Sequence, residues 1–166
     1  MTVLRQAASA ALFRKNVVFD IYLNHQATAD AALLIVGFRV IDYLWRVVLD
    51  GRGFSLLGLV LWPVGSLMVW IVRAGVCLLV GKLLFRKDSR MATIMRLQGF
   101  SYLPLVLTFL PGSIGLIGIL WFLALLVFTT AEAMELTWWQ SAATIAVSVV
   151  GLYILSPLIW GAYRLF

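Results

Sequence analysis

Charge is scarce in this sequence. Only 12% of its 166 residues are Asp, Glu, Lys or Arg, while 63% are hydrophobic and the mean hydropathy is +1.03. A soluble domain carries about 25% charged and roughly 45–50% apolar residues. A water-soluble core of this size is therefore excluded, and lipid must solvate most of the chain. Cysteine is nearly absent: Cys77 stands alone in an apolar run, which excludes an intramolecular disulfide, a redox pair and a thiolate zinc site. The one histidine, His25, excludes the His-Glu-x-x-His motif of zinc proteases, and no Ser/His or Asp/Asp pair lies at membrane depth. At the start of the first apolar run, His25 reads as an interfacial side chain ahead of a haem or chlorophyll ligand. No enzyme chemistry and no cofactor is expected.

What is present is apolar length. Each crossing of a bilayer needs about 20 residues, so the chain has room for one bundle of four to six helices and for no separate soluble domain of ordinary size. Residues 1–26 form an amino-terminal segment without a signal-peptide pattern. It is expected as a short helix on the membrane surface, with Arg14 and Lys15 at the headgroups. Residues 27–166 form the bundle. The first span runs from about 27 to 49, and "DGRG" (50–53) turns the chain. Residues 54–85 are too long for one simple span, so 54–62 read as a shallow or re-entrant lead-in. Pro63 then opens the second span, 63–85, because proline suits a helix's first turn. The loop "RKDSR" (86–90) is aqueous. The apolar stretch 99–131 breaks at "LPGSIG", which folds it as a tight hairpin of spans 91–110 and 113–133. Pro104 and Pro111 kink the third span or end it. The last span, 138–163, opens on Trp138 and Trp139, whose rings favour the interface.

The fold class is thus an all-α membrane bundle of five transmembrane helices, with four as the alternative if the hairpin does not cross. Arg5, Arg14, Lys15, Lys82, Arg86, Lys87, Arg90 and Arg96 fall on one side, against Arg46, Arg52 and Arg164 on the other. The positive-inside rule puts the amino terminus in the cytoplasm and the carboxyl terminus outside, and a bacterial-type plasma membrane is the expected location. Basic charge placed at the ends of apolar runs sets topology, so the net charge of +6 does not point to nucleic acid. No internal repeat is present, which removes support for inverted-repeat transporters.

Four charged residues lie inside apolar runs. Arg39, Asp42 and Arg46 are spaced three and four apart, within about 60° of one helix face, so Asp42 can pair with either arginine. Arg73 sits in "VWIVRAGVCLLV", about 18 Å from the end of its span at Phe85, the depth also reckoned for Arg39. The expectation is an intramembrane cluster of Arg39, Asp42, Arg46 and Arg73, with Arg73 facing Asp42 across two helices. Snorkelling to the headgroups and a transport site are the alternatives. Arg86, Lys87, Arg90 and Arg96 are the candidate lipid or partner contacts. Glu132 and Glu135 read as a solvated helix end. Gly112, Gly115, Gly118, Ala142 and Ala146 are candidate helix-packing positions, because small residues let helices approach in lipid.

Two stretches carry a family resemblance. "FDIYLNHQATADAALLIV" leads into a helix through Asn24 and Ala27-Thr28-Ala29. "LLVGKLLFRKDSRMATIMRLQGFSYLPLVL" places Gly81, Gly99, Tyr102 and Pro104 around a basic loop. Over roughly residues 18–154 the chain resembles the Yip domain (Yip-one, Ypt/Rab-interacting protein) family in its short bacterial form. The resemblance implies a five-span fold; in eukaryotic members it implies binding of prenylated Rab GTPases and work in vesicle traffic. The expected function is a scaffold or accessory subunit that binds membrane lipids and another integral membrane protein, or itself. A small transporter or channel using Arg39, Asp42 and Arg73 is the runner-up. A peripheral subunit of an energy-converting complex is third.

Overall fold

A computed structural model describes residues 26–49, 53–110 and 112–164, with isolated residues 12, 21, 24 and 51, and side chains as far as residue 154. Among the described residues run the α-helices α1 Ala27–Leu49, α2 Leu56–Phe85, α3 Met91–Phe100, α4 Ile114–Met134 and α5 Trp138–Arg164, and a 3-10 helix, Leu103–Phe109, follows α3. No strand occurs among the described residues. Of the five, α2 and α4 are long and apolar enough to cross a membrane within the described residues.

Helix α2 starts earlier than its proline. Ser55 caps it from an extended conformation, accepting from the Gly58 N–H at 3.3 Å. The Tyr43 hydroxyl then accepts from Ser55 N–H and donates to Ser55 C=O, both at 2.9 Å, which ties the end of α1 to the start of α2. A serine cap satisfies an orphan donor that a proline cannot reach, so the helix nucleates at Leu56. Pro63 becomes a buried interior residue of one continuous helix of 30 residues, about 45 Å long. The separate lead-in over 54–62 is not what forms. The third segment also differs from a single helix over 91–110. Ser101 bonds back to Gln98 and Gly99 at the end of α3, and Pro104, lacking an N–H, starts the tighter 3-10 turn.

Side-chain contacts set the directions. Arg96 meets Thr28, Gly99 meets Ala31 and Phe109 meets Trp45, so α1 and the α3/3-10 segment run alongside in the same sense. The 3-10 helix and α4 fold back on each other, with Gly118 against Pro104 and Leu107. Helix α5 returns along α4 and α2, where the Ser141 hydroxyl donates to Val127 C=O at 2.6 Å.

Beside an apolar core that includes Ile35, Trp70, Leu97 and Phe100, the bundle buries polar side chains and leaves large apolar ones outside. Gln98, Thr130, Ser141, Thr144 and Ser148 are fully buried, while Leu83 is 76% and Leu56 72% exposed. With no water to drive apolar surfaces together, contacts depend on close approach and on hydrogen bonds. Gly99 shows this most sharply: a Cβ there would lie 2.5 Å from the Ala31 Cβ and 3.3 Å from its Cα. The cysteine packs as an ordinary buried side chain, Cys77.

Gly99→Ala is expected to push α1 off α3 and lower stability by about 1–3 kcal/mol, the usual cost of overpacking. Thermal unfolding of the purified protein in detergent checks this; an unchanged transition would show that the α1–α3 approach is not tight.

Candidate functional site

The charged residues of α1 gather as their spacing requires. Arg39 Nη1 donates to Asp42 Oδ2 and Arg46 Nε to Asp42 Oδ1, each at 3.2 Å. A third donor comes from α2, where Trp62 Nε1 reaches Asp42 Oδ2 at 3.1 Å. The guanidinium of Arg46 also lies 5.8 Å from the Trp62 ring centroid, and that of Arg39 5.7 Å from the Phe38 ring. Asp42 is 6% exposed, so the carboxylate is buried with three donors around it. This cluster joins α1 to α2 and retains one net positive charge.

Arg73 is elsewhere. Asp42 sits beside Trp62, eleven residues before Arg73 on α2, which is a rise of about 16 Å. The expected Arg73–Asp42 pair is therefore not formed. The reason is register: equal counting from helix ends puts the two residues level only if Ala27 and Phe85 share a level. Instead α2 extends past the start of α1, and α3 is the neighbour of its second half. There Arg73 Nε donates to Gln98 Oε1 at 3.3 Å. Its guanidinium carbon lies 5.5 Å from the Tyr102 ring centroid and 5.6 Å from that of Phe122. Arg73 is 5% exposed, and its Nη2 is buried without a hydrogen-bond partner.

Gln98 is the hub. Its Oε1 accepts from Arg73, while its Nε2 donates to Thr130 Oγ1 at 3.1 Å and approaches Cys77 Sγ at 3.4 Å. One side chain thus joins α2, α3 and α4. A turn further on, Ser101 and Thr129 share a hydrogen bond at 3.3 Å. The rings of Tyr102 and Phe122 meet edge to face at 5.3 Å beside the arginine. The result is a guanidinium held by a neutral amide and two aromatic faces, with no carboxylate in the group. Such a site can hold an anion or fix helices.

The other predicted positions divide. Arg86 and Arg90 are exposed and Lys87 half-buried on the loop after α2, where Lys82 approaches Asp88 at 3.9 Å. Ser89 donates to Ala133 C=O at 2.8 Å, which holds this basic loop beside the α4–α5 turn, next to exposed Trp138 and Trp139. Arg96 does not join that surface. It is buried inside, with Nε on Thr28 Oγ1 at 2.9 Å. Glu132 and Glu135 are exposed at the end of α4, and Glu135 takes a left-handed conformation that closes the helix, Leu136 N–H bonding to Ala131 C=O. Gly118 is the tight packing glycine of its group, because a Cβ would lie 2.7 Å from Pro104 O. Gly115 is in ordinary contact distance, and Gly112 is a turn residue at φ +80° with open space around it. Ala142 is half-buried and Ala146 exposed. His25, Arg5, Arg14, Lys15, Arg52 and Pro111 lie outside the described residues.

Gln98, Tyr102 and Phe122 were not picked out as site residues. A glutamine inside a mostly apolar helix was a signal available in the sequence. The two aromatic residues carried none, because rings are ordinary along lipid-facing helices.

Gln98→Leu leaves the Arg73 guanidinium without its one hydrogen-bond acceptor and is expected to cost about 2–3 kcal/mol. Gln98→Glu supplies a counter-charge while losing the donor to Thr130, and should be clearly better tolerated than Leu. Unfolding transitions of both variants in detergent decide it; equal loss in the two would mean that the arginine charge does not dominate this site.

The sequence model of the Yip1 domain matches residues 12–161. No curated protein matches the chain, and no solved structure does. The match runs through the whole described bundle, including Gly81, Gly99, Tyr102 and Pro104, and so the chain belongs to the Yip1 domain family.

Proposed function

We propose that this chain is a non-catalytic integral membrane scaffold or accessory subunit that binds other membrane proteins, lipids, or both. The observation that carries this reading is the division of labour between interior and exterior. Interior polar groups are bonded to one another across helices: Gln98 to Thr130, Arg96 to Thr28, Ser101 to Thr129. What the molecule offers outward is apolar helix flank, the half-exposed Arg46 near the α1–α2 connection, and one rim, where Arg86, Lys87 and Arg90 lie on the loop that Ser89 ties to the turn before Trp138 and Trp139. Partners are then met within the bilayer along those flanks, or at the rim by anionic lipid or an acidic protein surface. The positive rim belongs on the cytoplasmic side of a bacterial-type plasma membrane.

A second reading, a small transporter or channel, is favoured by one feature: the unpartnered Nη2 of Arg73 deep in the bundle. Arg73→Gln separates the two. A transporter variant that still folds loses flux, whereas a scaffold variant keeps any ion or solute permeability unchanged and loses partners or stability.

The test of the first reading is gentle extraction from native membranes followed by mass spectrometry. Stoichiometric protein partners are expected, and their recovery should fall about tenfold when Arg86, Lys87 and Arg90 are all replaced by Gln. Wild-type protein that emerges alone, or only with itself, overturns binding to other membrane proteins.

A further inference from the structure

On the outer side of the bundle a groove of about 290 Å³ opens between α1 and the 3-10 helix. That is near the lower end of ligand sites, about 300 Å³. Its walls are Leu33, Gly37, Phe38 and Ile41 from one side and Tyr102 and Val106 from the other. Leu33 to Ile41 is a rise of about 12 Å along α1, so the groove is long enough to take one extended hydrocarbon chain over part of its length. Gly37 keeps it open: a Cβ built there meets nothing within 4 Å. Tyr102 is the one polar side chain in the lining.

The ring of Tyr102 links this groove to the buried charge. Its centroid is 5.5 Å from the Arg73 guanidinium carbon. Among the described residues Arg73 has no carboxylate partner, and its Nη2 is unbonded although the residue is only 5% exposed. An apolar slot with one tyrosine in its lining, and a cation without a carboxylate partner over that tyrosine's ring, is complementary to an anionic amphiphile. In a low-dielectric interior the attraction reaches past the ring.

Depth selects among such amphiphiles. Arg73 is twelve residues from Phe85, about 18 Å, and seventeen from Leu56, about 26 Å. A phospholipid phosphate stays at the bilayer surface and cannot reach it without crossing about half of a 30 Å core. A long-chain carboxylic acid can: it enters the core as the neutral acid and, its proton passing to water at the membrane surface, stays as the carboxylate beside the cation.

We propose that the groove between α1 and the 3-10 helix binds a single-chain carboxylic acid, its hydrocarbon chain along Gly37 and its carboxylate at the Tyr102 hydroxyl, attracted by Arg73. The proposal is independent of the scaffold reading; a partner-free protein can still hold such a ligand.

The experiment uses the full chain in nanodiscs of phosphatidylcholine, with radiolabelled hexadecanoic acid and hexadecanol as probes. Saturable binding of the acid is expected, about tenfold tighter than of the alcohol. Gly37→Leu fills the groove from open space without touching the core and should weaken acid binding by about tenfold or more. Arg73→Gln should abolish the preference for acid over alcohol. Tyr102→Phe keeps the ring on Arg73, guards against a misfolded Arg73 variant, and should reduce that preference. Equal binding of acid and alcohol by the wild type, or undiminished acid binding by Gly37→Leu, overturns the proposal.

Discussion

Taking a guanidinium out of water costs several kcal/mol unless its donors and its charge are answered where it comes to rest. Arg73 meets that constraint only in part, with a neutral amide and two ring faces, and its Nη2 stays unbonded. The groups that answer it come from three different segments: Gln98 from α3, Tyr102 from the entry to the 3-10 helix, and Phe122 from α4. Those segments must therefore hold one register relative to α2. Because Gln98 also bonds Thr130, the same amide that accepts from the arginine fixes α4. The buried charge and the helix arrangement depend on each other, and a change at either end of the Gln98 side chain is felt at the other.

Packing around this hub follows from lipid being the solvent. Apolar side chains gain nothing by leaving hydrocarbon for a protein interior, so the contacts that hold α1, α3 and α4 together are those where backbones come close. Gly99 lets α1 onto α3 at Ala31, Gly118 lets α4 onto the 3-10 helix, and Gly81 leaves space that Met134 fills. Between these contacts, hydroxyl groups bond across or along helices, as Ser141 does to Val127 C=O. Apart from Arg46, the exterior flanks are largely apolar, and charge gathers at the rim, where the Ser89 bond to Ala133 C=O holds the basic loop against the α4–α5 turn. The two tyrosines serve in different ways: Tyr43 closes the α1–α2 connection through both backbone groups of Ser55, and Tyr102 separates the outer groove from the inner charge.

Much of this was legible along the chain, and the part that was not has a common cause. Composition gave a membrane protein, the glycine and basic-loop motifs gave the Yip1 domain family, and apolar periodicity gave α1 at its observed limits, Ala27–Leu49. The Arg39–Asp42–Arg46 pairing followed from spacings of three and four, because helix geometry alone brings such residues onto one face. Local chemistry already decided where α2 begins, but two signals competed there: the serine cap with its tyrosine partner overrides the proline as a start, and α2 gains about two turns that a start at Pro63 would have denied it. Between helices the sequence is silent. A hydrophobic run specifies that a helix lies in lipid but not how far it slides along its neighbour, since sliding leaves apolar burial nearly unchanged. Only the tertiary contacts at Gly99, Trp62 and Gln98 fix that offset, and they move Arg73 away from Asp42 to an amide and two rings, for the physical reason that register in a bilayer is set by close approach and hydrogen bonds rather than by hydrophobicity.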